Sequence, residues 1–526
     1  MLTYVLSLIP AFFYLLYKSK KAMHMLQQNW YNDNDRYINW IFDNKSKVFL
    51  VFDILFVILL FLKGKVLIIA FVLFYLIAFY IQRNKYKNEQ SKKPLVITAR
   101  IKRLYTTLII VYVLLIYLTT IMWFNPLNTS FYYFYVSLLI YLNYFFVYLC
   151  NLINKPIELM VKNHYLRMAK SKLESMTNLK RVAITGSYGK TSTKHILNEI
   201  LNVKYNSFAT AKSFNTMNGL MISINNMLDK FSDIFIAEMG AFVQGEIKRK
   251  TEFIKPKYGI LTVIGTAHLE SFGSRENIQK AKFELIDGLP DDGVAILNKD
   301  DEYQTSYKCK SKCKKIWVSL KDKNADVYAD NIELSNKGTK FTCHFKGLKE
   351  GVVLETKLLG SANVYNILQS VALAYELGLN PEQIKIGVKR LRPIEHRLEL
   401  KKYGNIDIID DAYNSNPVGS KMAVDVLGMM DGKKIIVTPG MIELGDKQYE
   451  YNKEFGKQIA KVCDEVILIG EEQTKPIMDG LVESKFNKEH IYVLNDVKKA
   501  FPLMKKLSEG STYVLLENDL PDLFNE

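Results

Sequence analysis

Thr185-Gly186-Ser187-Tyr188-Gly189-Lys190-Thr191-Ser192 follows a short apolar stretch, Val182-Ala183-Ile184. It opens a helix-like one carrying His195, Ile196, Leu197, Ile200 and Leu201. A strand, a glycine turn and a helix N-terminus together make an anion site, because backbone N–H groups and the helix dipole face one point. Lys190 adds a point charge for β- and γ-phosphates, and the Thr191 hydroxyl suits Mg²⁺. The spacing is Gly-x-x-Gly-Lys-Thr, two residues tighter than the general phosphate-loop pattern. Gly186, Ser187, Tyr188, Gly189, Lys190, Thr191 and Ser192 are therefore expected to cradle ATP.

Around this loop the chain divides by composition. Residues 1–178 carry 21 Lys+Arg against 7 Asp+Glu, so that third holds almost the whole net charge of +16. The basic residues flank hydrophobic runs instead of forming a patch on a soluble domain, which excludes a nucleic-acid partner in favour of the positive-inside bias of membrane proteins. The apolar runs are 2–17, Val48–Leu62, Val66–Ile81, Leu104–Phe124 and Leu127–Asn154. Leu104–Phe124 alone is uncharged for 21 residues, enough to cross a core about 30 Å thick. About five transmembrane helices are expected over 1–155, with a basic amphipathic linker at 156–178 on the membrane surface. Segment 83–103 holds eight Lys or Arg against Glu89, so it is expected in the cytoplasm, and counting spans puts everything after 154 there too. The five cysteines form no disulfide framework and read as free thiols in a reducing compartment.

From 181 onward, strand-like runs alternate with helical ones: Ile234–Ala237, Gly259–Val263, Val294–Leu297, Ile406–Ile409, Lys434–Val437 and Val466–Ile469. Such alternation predicts parallel, helix-covered sheets. The fold class expected is therefore α/β: a multi-span helical membrane region, a P-loop-type central ATPase domain over 179–393, and a C-terminal Rossmann-like α/β domain over 394–526. Polar residues cluster where these strands end, as ligand sites do in open α/β sheets. They are Glu238-Met239-Gly240; His268-Leu269-Glu270-Ser271-Phe272-Gly273-Ser274; Ala281-Lys282-Phe283-Glu284; Ser361-Ala362-Asn363-Val364-Tyr365-Asn366; Glu395-His396-Arg397; and Asp411-Ala412-Tyr413-Asn414-Ser415-Asn416-Pro417.

In this order and spacing, the series resembles the Mur ligase family over roughly 180–470, most closely its MurF type. The resemblance implies an ATP-dependent amide ligation, in which a carboxylate takes the γ-phosphoryl group and an amine then displaces phosphate. By carry-over, Lys190 grips the phosphates, and Thr191 and Glu238 hold a first Mg²⁺. His268 faces a second metal, and Lys282 matches the lysine that the family carbamylates. Arg397 reaches the phosphates from the C-terminal domain, and Asp411 faces the ribose. Asn363 and Asn366 line the adenine side, Asn215 lies near the γ-phosphate, and Asn414 and Asn416 complete the nucleotide set. Ala362 stands where the family has histidine, and membrane spans stand where it has a UDP-binding domain. The expected partners are thus ATP, a carboxylate-bearing envelope precursor, UDP-linked or lipid-linked, an amino acid or dipeptide amine, and membrane lipids. Alternative readings are a ligase modifying a capsular or lipid-linked polysaccharide, a poly-amino-acid synthase, and a degenerate scaffold.

Overall fold

A computed structural model describes residues 6–32, 35–86, 94–123, 129–413, 415–442 and 444–519. They form two compact units, 1–164 and 165–526.

The first unit is helical: α1 (Ile9–Gln28), α2 (Arg36–Asp43), α3 (Gly64–Tyr86), α4 (Ala99–Trp123), α5 (Thr129–Tyr141) and the start of α6 (Asn143–Ser175). Among the described residues, two helices are long and apolar enough to cross a membrane, Gly64–Asn84 and Ala99–Ile121. A third span exists if α5 and α6, bent by 66° at their junction, count as one. The expected number of five is corrected accordingly. The first apolar run continues as one helix through Lys18, Lys20 and Lys21 to Gln28, and its opening residues 1–5 lie outside the described ones. The run at 48–62 breaks into short turns, leaving an apolar helix of only Phe52–Phe61, well short of a bilayer.

One buried ion pair joins the two runs. Lys18 Nζ lies 2.9 Å from Asp53, whose other oxygen accepts the Tyr14 hydroxyl at 2.5 Å, all within the apolar core of this unit. A buried charge demands a partner, so the two runs are shaped to bring these residues together instead of being two bare spans. The expected linker at 156–178 is the continuation of α6. Its last turns pack Ala169 and Leu173 into the core of the second unit.

The second unit holds two sheets. The first runs β2-β3-β1-β4-β5-β6-β7-β8-β9, with β1 (Lys180–Thr185), β2 (Ser207–Ala209), β3 (Ile234–Glu238), β4 (Tyr258–Leu261), β5 (Val294–Asn298) and β6 (Lys314–Ser319). Pairing is parallel as far as β7 (Val327–Ser335). Then β8 (Gly338–Phe345) and β9 (Val352–Thr356) add an antiparallel meander that the alternation did not foretell. The β1 and β3 strands are buried almost throughout, and their side chains alternate between two cores on opposite faces of the sheet. The helices that matter for the site are α7 (Lys190–Leu201), α8 (Met217–Ile222), α9 (Glu246–Ile254), α10 (Arg275–Asp287) and α11 (Ser361–Glu376).

The second sheet runs β10-β11-β15-β12-β13-β14, with β10 (Glu399–Tyr403), β11 (Ile406–Asp411), β12 (Lys433–Thr438), β13 (Glu465–Ile469), β14 (Ile491–Leu494) and β15 (Thr512–Glu517). Only β10 is antiparallel, and β15 inserts between β11 and β12. Helix α12 (Pro417–Gly428) follows β11.

Candidate functional site

The glycine turn leaves the carboxyl end of β1, between β3 and β4, where connections diverge and open sheets form their ligand crevice. Gly186 has φ 150°, and a side-chain carbon there would land on the Thr262 hydroxyl. Gly189 has φ 79°, and the same carbon would lie 2.6 Å from Asn366 Oδ1. Glycine is needed at both because the backbone runs against β4 and α11. Lys190 opens α7 and folds back, its Nζ donating to the carbonyls of Gly186 at 2.7 Å and Ser187 at 2.9 Å. Tyr188 is clasped by Thr266, whose N–H donates to the phenol oxygen at 3.0 Å. Ser192 follows within α7, half-buried.

Glu238, at the end of β3, is 1% exposed. Its Oε1 accepts the Thr191 hydroxyl at 3.1 Å and Asn215 Nδ2 at 3.2 Å, so three expected residues do meet. Its Oε2 lies 3.1 Å from Lys194 Nζ, yet no hydrogen bond reaches it. Burial raises the Glu238 pKa, but Lys194 and Lys190 outweigh that and hold the carboxyl below its usual range. The Glu238 carboxylate, ion-paired with Lys194, lies beside the Thr191 hydroxyl, and both supply hard oxygens of the kind a divalent cation such as Mg²⁺ takes.

The second metal set is less complete. His268 sits in a left-handed conformation (φ 58°), its ring 4.3 Å from that of Phe242. Among the described residues, no three His, Cys, Asp or Glu side chains converge on one point. Lys282, on α10, is buried, with its ammonium 5.5 Å from the Phe272 ring centre. Burial, then repulsion from Lys190 and Lys250, push its pKa well below the ordinary lysine value. The flanking motif residues have mechanical roles. Ser274 caps α10 by accepting the Asn277 N–H at 3.2 Å. Glu284 reaches across to the start of α9, accepting from Gly245 N at 2.6 Å and Lys248 N at 2.9 Å.

From the second sheet, Arg397 stacks over the Tyr413 ring at 4.5 Å. The Tyr413 hydroxyl hydrogen-bonds Ser213 on the loop that carries Asn215. Burial pushes Lys190 down to about 8, Glu238 opposes this, and the positive charge of Arg397, two residues before β10, adds to it. Asp411 accepts the Leu398 N–H at 3.2 Å. Asn366 Oδ1 accepts the Thr193 hydroxyl at 3.2 Å, and Asn363 donates to the Leu359 carbonyl at 2.8 Å. Asn366 therefore pins α11 to α7, and Asn363 ties the first turn of α11 to the residue leading into it. Asn416 caps α12, its Oδ1 accepting from Val418 N and Gly419 N at 3.2 and 2.9 Å, so its carbonyl end is already committed. Asn414 lies outside the described residues.

Residue reasoning missed Lys194, which lies one turn beyond Lys190 with its side chain wholly buried against Glu238. It also missed Lys250, whose Nζ donates to the Gly240 carbonyl at 2.5 Å, and Glu517, considered below. A lysine four residues after the phosphate-loop lysine, on the same helix face, was the available signal for Lys194.

Comparison with known proteins agrees with this geometry. Residues 184–374 match the Mur ligase middle domain, and residues 396–516 match the Mur ligase glutamate ligase domain. The chain is 33% identical over 298 residues to the UDP-N-acetylmuramoyl-tripeptide–D-alanyl-D-alanine ligase of Bacillus subtilis, covering 56% of this chain and 63% of that one. It is 34% identical over 319 residues to the ligase of the same name from Buchnera aphidicola, covering 60% and 68%. This chain thus spans just under two thirds of the Bacillus protein's length. The crystal structure of MurF from Acinetobacter baumannii superposes with a TM-score of 0.62 at 26% identity, over 68% of this chain and 77% of that one. The chain belongs to the Mur ligase family, on its MurF-like side.

Proposed function

We propose that this chain is a membrane-anchored, ATP-dependent ligase of MurF type that joins an amino acid or dipeptide amine to a carboxylate in peptidoglycan or cell-envelope precursor synthesis. One observation carries the reading. Thr191 and Asn215 both hydrogen-bond Glu238 beside the glycine turn onto which Lys190 folds back.

The chemical difficulty is bringing an anionic carboxylate to an anionic triphosphate. Positioned cations in a poorly solvated cleft answer it, because they act on developing charge at no cost in reorganisation. Lys190 and Arg397 grip the phosphates, and Asp411 faces the ribose. Thr191 and Glu238 would hold Mg²⁺, which would neutralise phosphate charge when bound. Lys282 is suited to carbamylation, since its lowered pKa leaves a neutral amine for carbon dioxide, and the product is an anion. The carboxylate becomes an acyl phosphate, the amine attacks it, and phosphate departs.

Anchoring rests on the apolar helices Gly64–Asn84 and Ala99–Ile121. Large apolar side chains on them, among them Val66, Ile69, Ile110, Val113 and Ile121, are exposed, which suits lipid better than water. Such an anchor favours a lipid-linked carboxylate over a soluble UDP-linked one, because partners confined to one surface meet at raised effective concentration. The test is phosphate release by the full chain in nanodiscs with ATP, D-alanyl-D-alanine, and either a UDP-muramoyl tripeptide or the same peptide on a lipid carrier. Turnover with the lipid-linked form at least tenfold above the UDP form supports the membrane reading, and the reverse preference overturns it. Lys190→Ala should abolish phosphate release with both. Retention of activity would remove the phosphate-loop assignment.

A further inference from the structure

Asp411 and Glu517 are register partners on adjacent parallel strands, β11 and β15, at the carboxyl edge of the second sheet. Glu517 is 0% exposed. Its Oε1 accepts the Ser415 hydroxyl at 2.5 Å, while its Oε2 is buried with no donor among the described residues. Asp411, by contrast, has a donor in Leu398 N and a cation in Arg397. Two neighbouring buried carboxylates cannot both be anions without a large penalty, and an orphaned oxygen marks where a proton belongs.

We propose that Glu517 is a positioning residue for the nucleotide: a protonated carboxyl that donates from Oε2 to Asp411 and holds that group as a single anion facing Arg397. The proposal rests on the reading of Asp411 as the ribose-facing carboxylate. The electrostatics run the same way. Burial raises Asp411 to about 6 despite Arg397, and burial followed by repulsion from Asp411 raises Glu517 further above its ordinary value. The other charged neighbours are already committed. Asp410 is held by His396 at 2.8 Å and Lys401 at 2.7 Å, and on α12 Lys421 pairs with Asp425 at 2.9 Å. Among the described residues around the pair, Arg397 remains to balance a charge, and it can balance one.

The sign follows from linkage. Acids whose folded pKa is raised contribute stability that is complete below the unfolded pKa and is lost as pH rises through the folded value. Nucleotide affinity follows the same course at its alkaline end, because loss of the Glu517 proton sets two anions against each other where the ribose binds. Above that point, affinity is expected to fall by up to about tenfold per pH unit.

Glu517→Gln keeps the shape and the donor but has no proton to lose. The experiment measures ADP affinity and melting temperature of the full chain in nanodiscs between pH 6 and 9. With Glu517→Gln, affinity at pH 7 should stay within about threefold of the parent, and the alkaline losses of affinity and of melting temperature should both disappear. An unchanged alkaline loss in the variant overturns the shared proton. So does a loss above about tenfold at pH 7 with an unaltered melting temperature, since Glu517 would then act as an anion. Asp411→Asn separates the two ideas. If it leaves ADP affinity intact, the ribose reading of Asp411 fails, while the melting profile of Glu517→Gln still decides the proton.

Discussion

Replacing Gly186 by alanine tests the glycine turn by the smallest possible addition. At φ 150° a side-chain carbon is strained, which costs about 1–3 kcal/mol. The added methyl also meets the Thr262 hydroxyl, with Val263 N at 3.1 Å behind it. That hydroxyl cannot swing away freely, because it donates to the Tyr188 carbonyl at 2.5 Å and lies 3.3 Å from that of Thr185. Forcing a methyl into such a place costs about 1–3 kcal/mol more. If the turn yields by deforming, a loss of about 2 kcal/mol in binding weakens ADP about 30-fold. The assay pairs urea unfolding with ADP affinity for Gly186→Ala, Thr262→Ala and the double variant. Trimming Thr262 removes the clash but leaves the backbone strain, so the double variant should recover about 1–2 kcal/mol relative to additivity. An unchanged unfolding midpoint together with ADP affinity within threefold of the parent would refute the reasoning, because the close approach of backbone to β4 would then be unimportant.

Lys282→Ala should abolish ligation in a way that added bicarbonate does not restore, whereas a short carboxylic acid diffusing into the vacated space should restore part of it. Normal turnover by the alanine variant would end the carbamate assignment. Glu284→Ala removes two charge-assisted hydrogen bonds at the start of α9, so it should cost about 2–4 kcal/mol and lower the melting temperature by several degrees. If melting is unchanged while activity vanishes, Glu284 touches substrate instead of capping a helix.

The phosphate loop was legible because its determinants are contiguous: a strand, two glycines and a helix start lie within a dozen residues, and each is needed for a local reason. Glu238 was legible as a polar residue closing an apolar run. Lys194 was not, since a lysine on a helix normally faces water, and only the approach of β3 buries it. Glu517 was hidden more deeply. Its partner lies over a hundred residues earlier, and the pairing exists only because β15 inserts between β11 and β12. The number of spans was harder to read for a related reason. Run length counts apolar residues but does not see that Lys18, just past the first run, and Asp53, inside the second, are a buried ion pair. Asn416 has a structural duty the motif did not announce, since its carbonyl oxygen caps a helix N-terminus.

The charge balance of the site bears on whether a ligand is handled there at all. Lys190, Lys194 and Lys250 are all withdrawn from water, and for each of them burial is the leading cause of a lowered pKa. Against them stand Glu238, which Lys194 engages at 3.1 Å, and Glu246, which is 4.0 Å from Lys250. Buried charge without a full set of counter-charges destabilises a fold, and apolar residues of similar size would often serve stability better. A scaffold with no ligand has no use for this surplus of cations. A polyanion entering the glycine turn supplies the missing negative charge, so the groups that weaken the free protein strengthen the bound one. That differential, not the bare presence of a phosphate-loop motif, is the physical reason to read the second unit as a working ligase site.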